Sequence, residues 1–187
     1  MARRKTIPDE QVLDTILETL MQTGPAGLTF ARAAKASGLS AATLVQRYGD
    51  REALVEAVLL RAWDILDRET SAADAEEALT PDGAIAFLLR LMAPDNAERD
   101  ATDGLLLLRE DIRNPKLRAR GAAWGHRIAQ ALGRRLSSDA AEGERLGWQM
   151  ASVWQGAQTW WAFTRKETAE RAIRGALECW LKSVGRV

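Results

Sequence analysis

The side chains able to do acid–base chemistry in this chain are few and poorly arranged for it. Asp103, Glu110, Asp111 and His126 form the strongest set, and catalysis would need at least two of them to converge on one substrate atom. Glu110 and Asp111 are adjacent on a helical stretch, so their carboxylates diverge. Cys179 and His126 are each single in the sequence, which rules out an internal disulfide and leaves no cluster for zinc or for a cysteine or serine centre. The expectation is a protein that is not an enzyme, with no catalytic residue, no metal ligand and no cofactor.

The groups that do fall into a usable pattern are suited to recognition. Between Leu28 and Leu54 the chain reads LTFARAAKASGLSAATLVQRYGDREAL. Thr29 is placed to cap a short helix by turning its hydroxyl onto the free N–H groups of the first turn. Gly38 supplies the left-handed residue that stops that helix, and Leu39 plugs the corner. Ser40 caps a second short helix, closed by Gly49. This is a helix-turn-helix, in which the second helix enters the major groove of DNA and small residues at its start admit the backbone to base edges. Ser40, Ala41, Ala42 and Thr43 meet that need. Gln46 and Arg47 follow on the same helix, and Arg47 and Arg51 are spaced to meet phosphates. Tyr48 suits the small core behind the helix, with its hydroxyl also within reach of a phosphate.

These residues resemble the N-terminal pattern of the tetracycline-repressor (TetR) family of transcriptional regulators. The resemblance rests on Thr29, Ala34, Ser37-Gly38-Leu39-Ser40, Thr43-Leu44, Tyr48 and Asp50-Arg51-Glu52-Ala53-Leu54. Three positions depart from the family pattern: Val45 stands where a tyrosine is usual, Arg51 where a lysine is usual, and Ala33 where an isoleucine is usual. Arg51 keeps the charge. The resemblance implies a cytoplasmic homodimer that binds double-stranded operator DNA, usually as a repressor, and is released by a small-molecule effector. Its DNA-contacting set would be Thr29, Ser40, Ala41, Ala42, Thr43, Gln46, Arg47, Tyr48 and Arg51. The missing tyrosine at Val45 leaves one alternative open, a helical protein-interaction scaffold that has lost DNA binding.

Composition agrees with this frame. The 187 residues are 47% hydrophobic, enough for a real core, and Ala, Leu, Glu and Arg prevail where alternating Val, Ile and Thr would mark strands. An all-α protein follows. The resemblance then implies an N-terminal three-helix bundle with the helix-turn-helix over 1–52 and a helical ligand-binding and dimerisation domain over 53–187, about nine helices in total. No apolar run approaches the roughly 18 residues of a membrane span, and MARRKTIPDE leads into a helix without a signal-peptide core. Net charge is zero, while residues 1–51 carry a small basic excess that includes the arm Arg3, Arg4 and Lys5.

Along the chain, Val12, Leu13, Ile16, Leu17, Leu20 and Met21 predict an amphipathic first helix that Gly24-Pro25 breaks. Asp50 caps a fourth helix that the apolar period carries to Glu69, after which SAADAEEAL reads as a loop or frayed end. Thr80-Pro81 opens a fifth helix that Pro94 ends. Leu105 to Leu108 is apolar on all sides and is expected to be buried. Asn114-Pro115 separates a sixth helix from a seventh that runs to about Leu136. Asp139 with Glu142, and Thr164 with Glu167, resemble capping boxes opening an eighth and a ninth helix.

The eighth helix shows two apolar faces, Leu146, Met150, Val153, Ala157 and Trp160 beside Gly147, Ala151, Trp154 and Trp161. The ninth carries Ala169, Ala172, Ile173, Ala176, Leu177, Trp180 and Leu181. Two wide apolar faces on one helix imply two partners, hence a homodimer through the last two helices, with Gly147, Ala151, Gly156 and Ala157 allowing close approach. Six of the seven tryptophans lie beyond residue 123. Phe87, Leu91, Leu105, Leu108, Trp124, Ile128, Trp154 and Gln155 are the expected lining of a mainly apolar effector pocket.

Overall fold

In the computed structural model the backbone is described for residues 7–92 and 97–186, and side chains for these except 97–103 and 105. The basic arm Arg3, Arg4 and Lys5, the helix stop at Pro94, and the side chains of Asp103 and Leu105 lie outside the described residues. Nine α-helices and no strand occur among those described: α1 (Asp9–Gly27), α2 (Phe30–Ser37), α3 (Ala41–Tyr48), α4 (Arg51–Glu76), α5 (Pro81–Met92), α6 (Ala97–Arg113), α7 (Pro115–Leu136), α8 (Ala140–Thr164) and α9 (Ala169–Ser183). They form two compact units. The head holds the chain through Ile65 together with Leu106–Arg120; the body holds Leu66–Leu105 and the chain from Gly121 onward. The head therefore takes in the first half of α4 and the stretch around the α6–α7 junction besides residues 1–52.

In the head, Val12, Ile16 and Leu20 fall one turn apart on α1 and are fully buried, with Leu28, Ala33, Leu44, Leu54, Val58 and Leu117 around them. Leu13, Leu17, Met21, Phe30, Leu39 and Tyr48 pack against this core from its edge. Gly24 leaves helical geometry at φ 69° and ψ 166°, so Gly24-Pro25 interrupts α1 as its sequence predicts. Arg61 on α4 is buried and grips Asp14 of α1 with two bonds, Nε–Oδ1 2.6 Å and Nη2–Oδ2 3.0 Å. On α6, Asp111 accepts from the indole N–H of Trp63 at 3.0 Å, while Leu107 joins the edge of the core.

That placement corrects the expectation of burial for Leu106 and Leu108. Leu106 and Leu108 are 49% and 47% exposed, and Ile112 is 57% exposed. Within the head, Leu107 and Asp111, one turn apart, mark the covered side of α6, and Leu106, Leu108 and Ile112 stand exposed on its other sides.

The body core gathers Phe87, Leu88, Ile128, Leu132, Leu146, Met150, Trp154, Ile173 and Leu177. Helix α5 is buried nearly all round, and α9 packs on both α5 and α8. Thr80 caps α5 through the N–H of Gly83 at 3.1 Å. Asn114 caps α7 through the N–H of Lys116 at 2.9 Å.

Two boundaries differ from the sequence reading. Helix α4 continues to Glu76, through residues expected to form a loop or a frayed end. The cause is a buried guanidinium from α7: Arg135 donates to the Asp74 carboxylate (2.6 Å) and to the carbonyls of Asp74 (2.9 Å), Glu77 (2.9 Å), Ala78 (3.1 Å) and Ala131 (2.8 Å). Those five bonds use all five N–H groups of the side chain and satisfy the free carbonyls of the helix end. The second difference is the start of α9. Its cap is Thr168, whose hydroxyl accepts from Arg171 N, whereas Thr164 ends α8 and donates to the Trp160 carbonyl. Asp139 caps α8 as expected, accepting from Glu142 N at 2.7 Å, but the Glu142 carboxylate binds Arg145 and does not reach back, so only half of the capping box forms.

Gly147, expected to ease contact between copies, is consumed within the chain. A Cβ there would stand 2.0 Å from the carbonyl oxygen of Ala129, so α7 and α8 meet backbone to backbone at this point. Gly156, by contrast, faces open space.

Candidate nucleic-acid interface

The helix-turn-helix is built by local hydrogen bonds of the kind its sequence predicts. Thr29 Oγ1 accepts from Arg32 N at 3.2 Å, and Gly38, at φ 70°, returns its N–H to Ala34 O at 3.0 Å. Ser40 Oγ accepts from Thr43 N at 3.0 Å and shares a 2.8 Å hydrogen bond with Thr43 Oγ1. Asp50 then caps α4 through Ala53 N at 2.8 Å. Leu44 faces inward and is fully buried, which turns Ser40, Ala41, Ala42 and Gln46 outward on the opposite side of α3. Thr29 is exposed beside them, and Thr43, Arg47 and Tyr48 are half-buried.

Val45 belongs to the same outward face and is 45% exposed. The sequence reading treated it only as the place of an absent tyrosine. Its spacing, one turn after Ala41, was the signal that it shares the face.

Two of the cations expected to meet phosphates have intramolecular partners. Arg47 Nη1 donates to Asp9 Oδ1 at 2.9 Å, and the Tyr48 hydroxyl points at the same oxygen from 3.5 Å. Burial and the Asp9 carboxylate together raise the Tyr48 pKa above its ordinary value, so the phenol keeps its proton. Arg51 donates from Nε to the Leu28 carbonyl at 2.8 Å and from Nη2 to the Pro25 carbonyl, closing the C-terminal end of α1. In the sequence Asp9 reads only as negative charge at the start of the first helix, and neither its pairing with Arg47 nor the carbonyl partners of Arg51 could be seen, because the partners lie 23 to 39 residues away.

The expected effector lining divides between the two units. Phe87, Ile128 and Trp154 are buried together in the body core, and Leu91 and Trp124 pack against them. Gln155 is exposed, on the far side of α8 from that core. Leu108 belongs to the head and is exposed. In the core, Trp124 Nε1 donates to Thr70 Oγ1 at 2.9 Å. Trp154, 4% exposed, has a buried Nε1–H with no acceptor among the described residues.

A separate cavity of about 510 Å³ lies in the head, walled by Pro25, Ala26, Arg51, Glu52, Val55, Glu56, Leu59, Arg109, Glu110, Arg113, Asn114 and Leu117. Its charges are largely matched in place. Glu110 meets Arg109 and Arg113, and Glu56 is held below the usual carboxylate range by hydrogen bonds from Lys116 and Asn114. Of the acid–base set, Glu110 and Asp111 are engaged within the head, and His126, in the body, stands edge-on to the Trp148 ring at 5.2 Å. No helix among the described residues is long and apolar enough to cross a membrane.

No protein-family model matches the sequence, and no curated protein matches it either. Its fold, however, is similar along nearly the whole chain to solved structures of transcriptional regulators. A TetR transcriptional regulator from Legionella pneumophila superposes with a TM-score of 0.69 at 15% identity, covering 95% of this chain and 99% of that one. A protein described as a transcriptional regulator from Saccharomonospora viridis, in complex with choline, gives a TM-score of 0.71 at 15% identity over 92% and 94% of the two chains. The transcriptional regulator FadR from Bacillus subtilis, in complex with stearoyl-CoA, gives 0.61 at 15% identity over 90% and 95%. The chain has the all-helical fold of TetR-family regulators.

Proposed function

We propose that this protein is a TetR-family transcriptional regulator, a cytoplasmic homodimer that binds operator DNA through α3 and releases it when a small molecule enters the body. The observation that carries the reading is the outward face of α3. A capped, two-helix unit presents Ser40, Ala41, Ala42, Val45 and Gln46 where they are free of any buried contact, and such a face matches what a major groove accepts. The methyl groups of Ala41, Ala42 and Val45 suit thymine methyls, and the Gln46 amide suits an adenine edge. Thr43 joins that face at the base edges, and Thr29, Arg47 and Tyr48 serve the backbone. Arg51 supports the head from behind by holding the end of α1.

Dimerisation is supported by apolar surface left on α8. Trp160 and Phe163 are 70% and 77% exposed, with ring centroids 6.1 Å apart, and Trp148 is 38% exposed. Side chains of this size cost most when left in water, and a second copy placed on the same faces covers them. The effector reading rests on the body core around Phe87, Leu91, Trp124, Ile128 and Trp154, where the Trp154 indole N–H has no acceptor among the described residues; the choline and stearoyl-CoA complexes of similar folds favour a small-molecule ligand in general. An occupant can release DNA only by binding the DNA-free conformation more tightly.

The test is fluorescence anisotropy of labelled random-sequence and selected duplexes at several salt concentrations. The reading expects affinity that falls steeply with salt and a further preference for the selected duplex. Absence of salt-dependent binding to either would leave a helical protein-interaction scaffold as the function.

A further inference from the structure

The contact between α1 and α3 joins two ends of the head that the DNA-binding face alone does not require. Asp9, in the first turn of α1, reaches the last turn of α3 and offers one carboxylate oxygen to two donors: Arg47 Nη1 at 2.9 Å and the Tyr48 hydroxyl at 3.5 Å. A guanidinium and a phenol converging on a single anionic oxygen is the arrangement that also holds a phosphodiester oxygen. Asp9 is 68% exposed at its side chain, so the oxygen it supplies lies at the surface, where a DNA strand has access to the same donors.

Building on the reading of α3 as the DNA-contacting helix, we infer that Asp9 is an internal stand-in for a DNA phosphate: its carboxylate occupies the Arg47–Tyr48 seat in the free protein and must leave for the DNA backbone to take it. Asp9 thereby sets an affinity ceiling. It holds the Arg47 guanidinium at the place a phosphate will occupy, and it makes each docking event an exchange of one anion for another. The exchange is feasible because an exposed ion pair contributes little by itself and is weakened further by salt. It is also directional, since the Asp9 charge repels the incoming phosphate until Arg47 has changed partners. Glu10, the next residue, is a control built into the molecule. It carries the same charge in the same helical turn but faces Arg61 at 3.6 Å, away from Arg47.

The experiment is a double-mutant cycle read by binding to random-sequence duplex DNA, a probe sensitive to phosphate contacts alone. Asp9→Asn is expected to tighten binding by about two- to fivefold for each head, the range an exposed pair accounts for, and to steepen the salt dependence by a fraction of one unit. In an Arg47→Gln background the same change is expected to lose that gain. Asp9→Ser, which keeps a short polar side chain in the first turn of α1, is expected to behave as Asp9→Asn, with helix content followed by circular dichroism. Glu10→Gln is expected to give a smaller gain that persists without Arg47. If Asp9→Asn and Asp9→Ser leave affinity unchanged or weaken it, or if their gain survives in the Arg47→Gln background, Asp9 is not a phosphate stand-in. A wild-type protein that binds no duplex at all overturns the DNA-binding reading itself, and this inference with it.

Discussion

Trp124 and Trp154 stand with ring centroids 6.4 Å apart and planes inclined at 51°, and their two indole N–H groups meet different fates. Trp124 donates to Thr70, itself fully buried and hydrogen-bonded to the Leu66 carbonyl, whereas Trp154 finds no acceptor among the described residues. An unsatisfied buried N–H costs about 1–3 kcal/mol, so Trp154→Phe, which keeps most of the ring and deletes the donor, is expected to be at least as stable as the wild type in urea unfolding. Trp154→Ala is expected to lose about 3–5 kcal/mol through the cavity it leaves. Equal losses in both variants would mean that the indole N–H is engaged. With an effector in hand, Trp154→Phe is further expected to raise the dose needed for DNA release while leaving ligand-free DNA affinity intact.

Asp111 gives the head a pH signature. Its burial pushes the carboxyl above its ordinary value of 3.8, against the lowering effect of the Trp63 hydrogen bond, and neighbouring Glu110 adds to the rise. A raised pKa in the folded state means that the native protein holds a proton the unfolded chain has already lost. Stability from this group therefore falls as pH rises from the ordinary value through the raised one. Asp111→Asn keeps an oxygen for Trp63 and removes the charge. It is expected to melt above the wild type at neutral pH, with the difference closing as pH drops below the ordinary carboxylate range. A difference that is constant across pH would contradict the burial argument.

Arg51 is the residue for which sequence position and structure point to different roles. Read from its place in the motif it meets a phosphate, yet in the head it donates to the Leu28 and Pro25 carbonyls. Arg51→Ala is expected to cost about 1–3 kcal/mol by leaving carbonyls at the end of α1 unpaired, and Arg51→Lys is expected not to restore it, since one ammonium lacks the fork geometry. The salt dependence of DNA binding is expected to change by less than the one unit a lost phosphate contact would remove. A full unit lost with stability unchanged would restore the phosphate role.

How much was legible in the sequence follows from how far apart the interacting residues are. Thr29, Gly38, Ser40 and Asp50 act on N–H and carbonyl groups three or four residues away, so their types and spacing were sufficient to place α2, α3 and the start of α4. Ser40, Ala41 and Ala42 were legible as small residues at the start of the second helix, while Val45, whose spacing after Ala41 puts it on the same face, was not recognised. The extension of α4 to Glu76 was not legible, because it depends on Arg135, 57 to 61 residues further on. The Asp9–Arg47 contact and the Arg51 carbonyl bonds are of the same long-range kind. Leu106 and Leu108 misled because a four-leucine run carries no period from which a buried side can be told.

The apolar rings on α8 make oligomeric state a direct readout. Light scattering at micromolar concentration is expected to give twice the chain mass for the wild type. Trp160→Glu combined with Phe163→Glu is expected to give the chain mass, with helix content retained because both side chains are exposed. A monomeric wild type would remove the dimer from the account.

The most direct test of the central claim is selection of duplexes from random-sequence DNA by the full-length protein, followed by sequencing of the bound pool. The account predicts an enriched site of two inverted half-sites whose centres are separated by about one helical turn, 34–36 Å, or a multiple of it, with A·T pairs under α3 where Gln46 and the Ala41, Ala42 and Val45 methyls dock. A bound pool indistinguishable from the starting library, under salt conditions where the protein is folded, would contradict it.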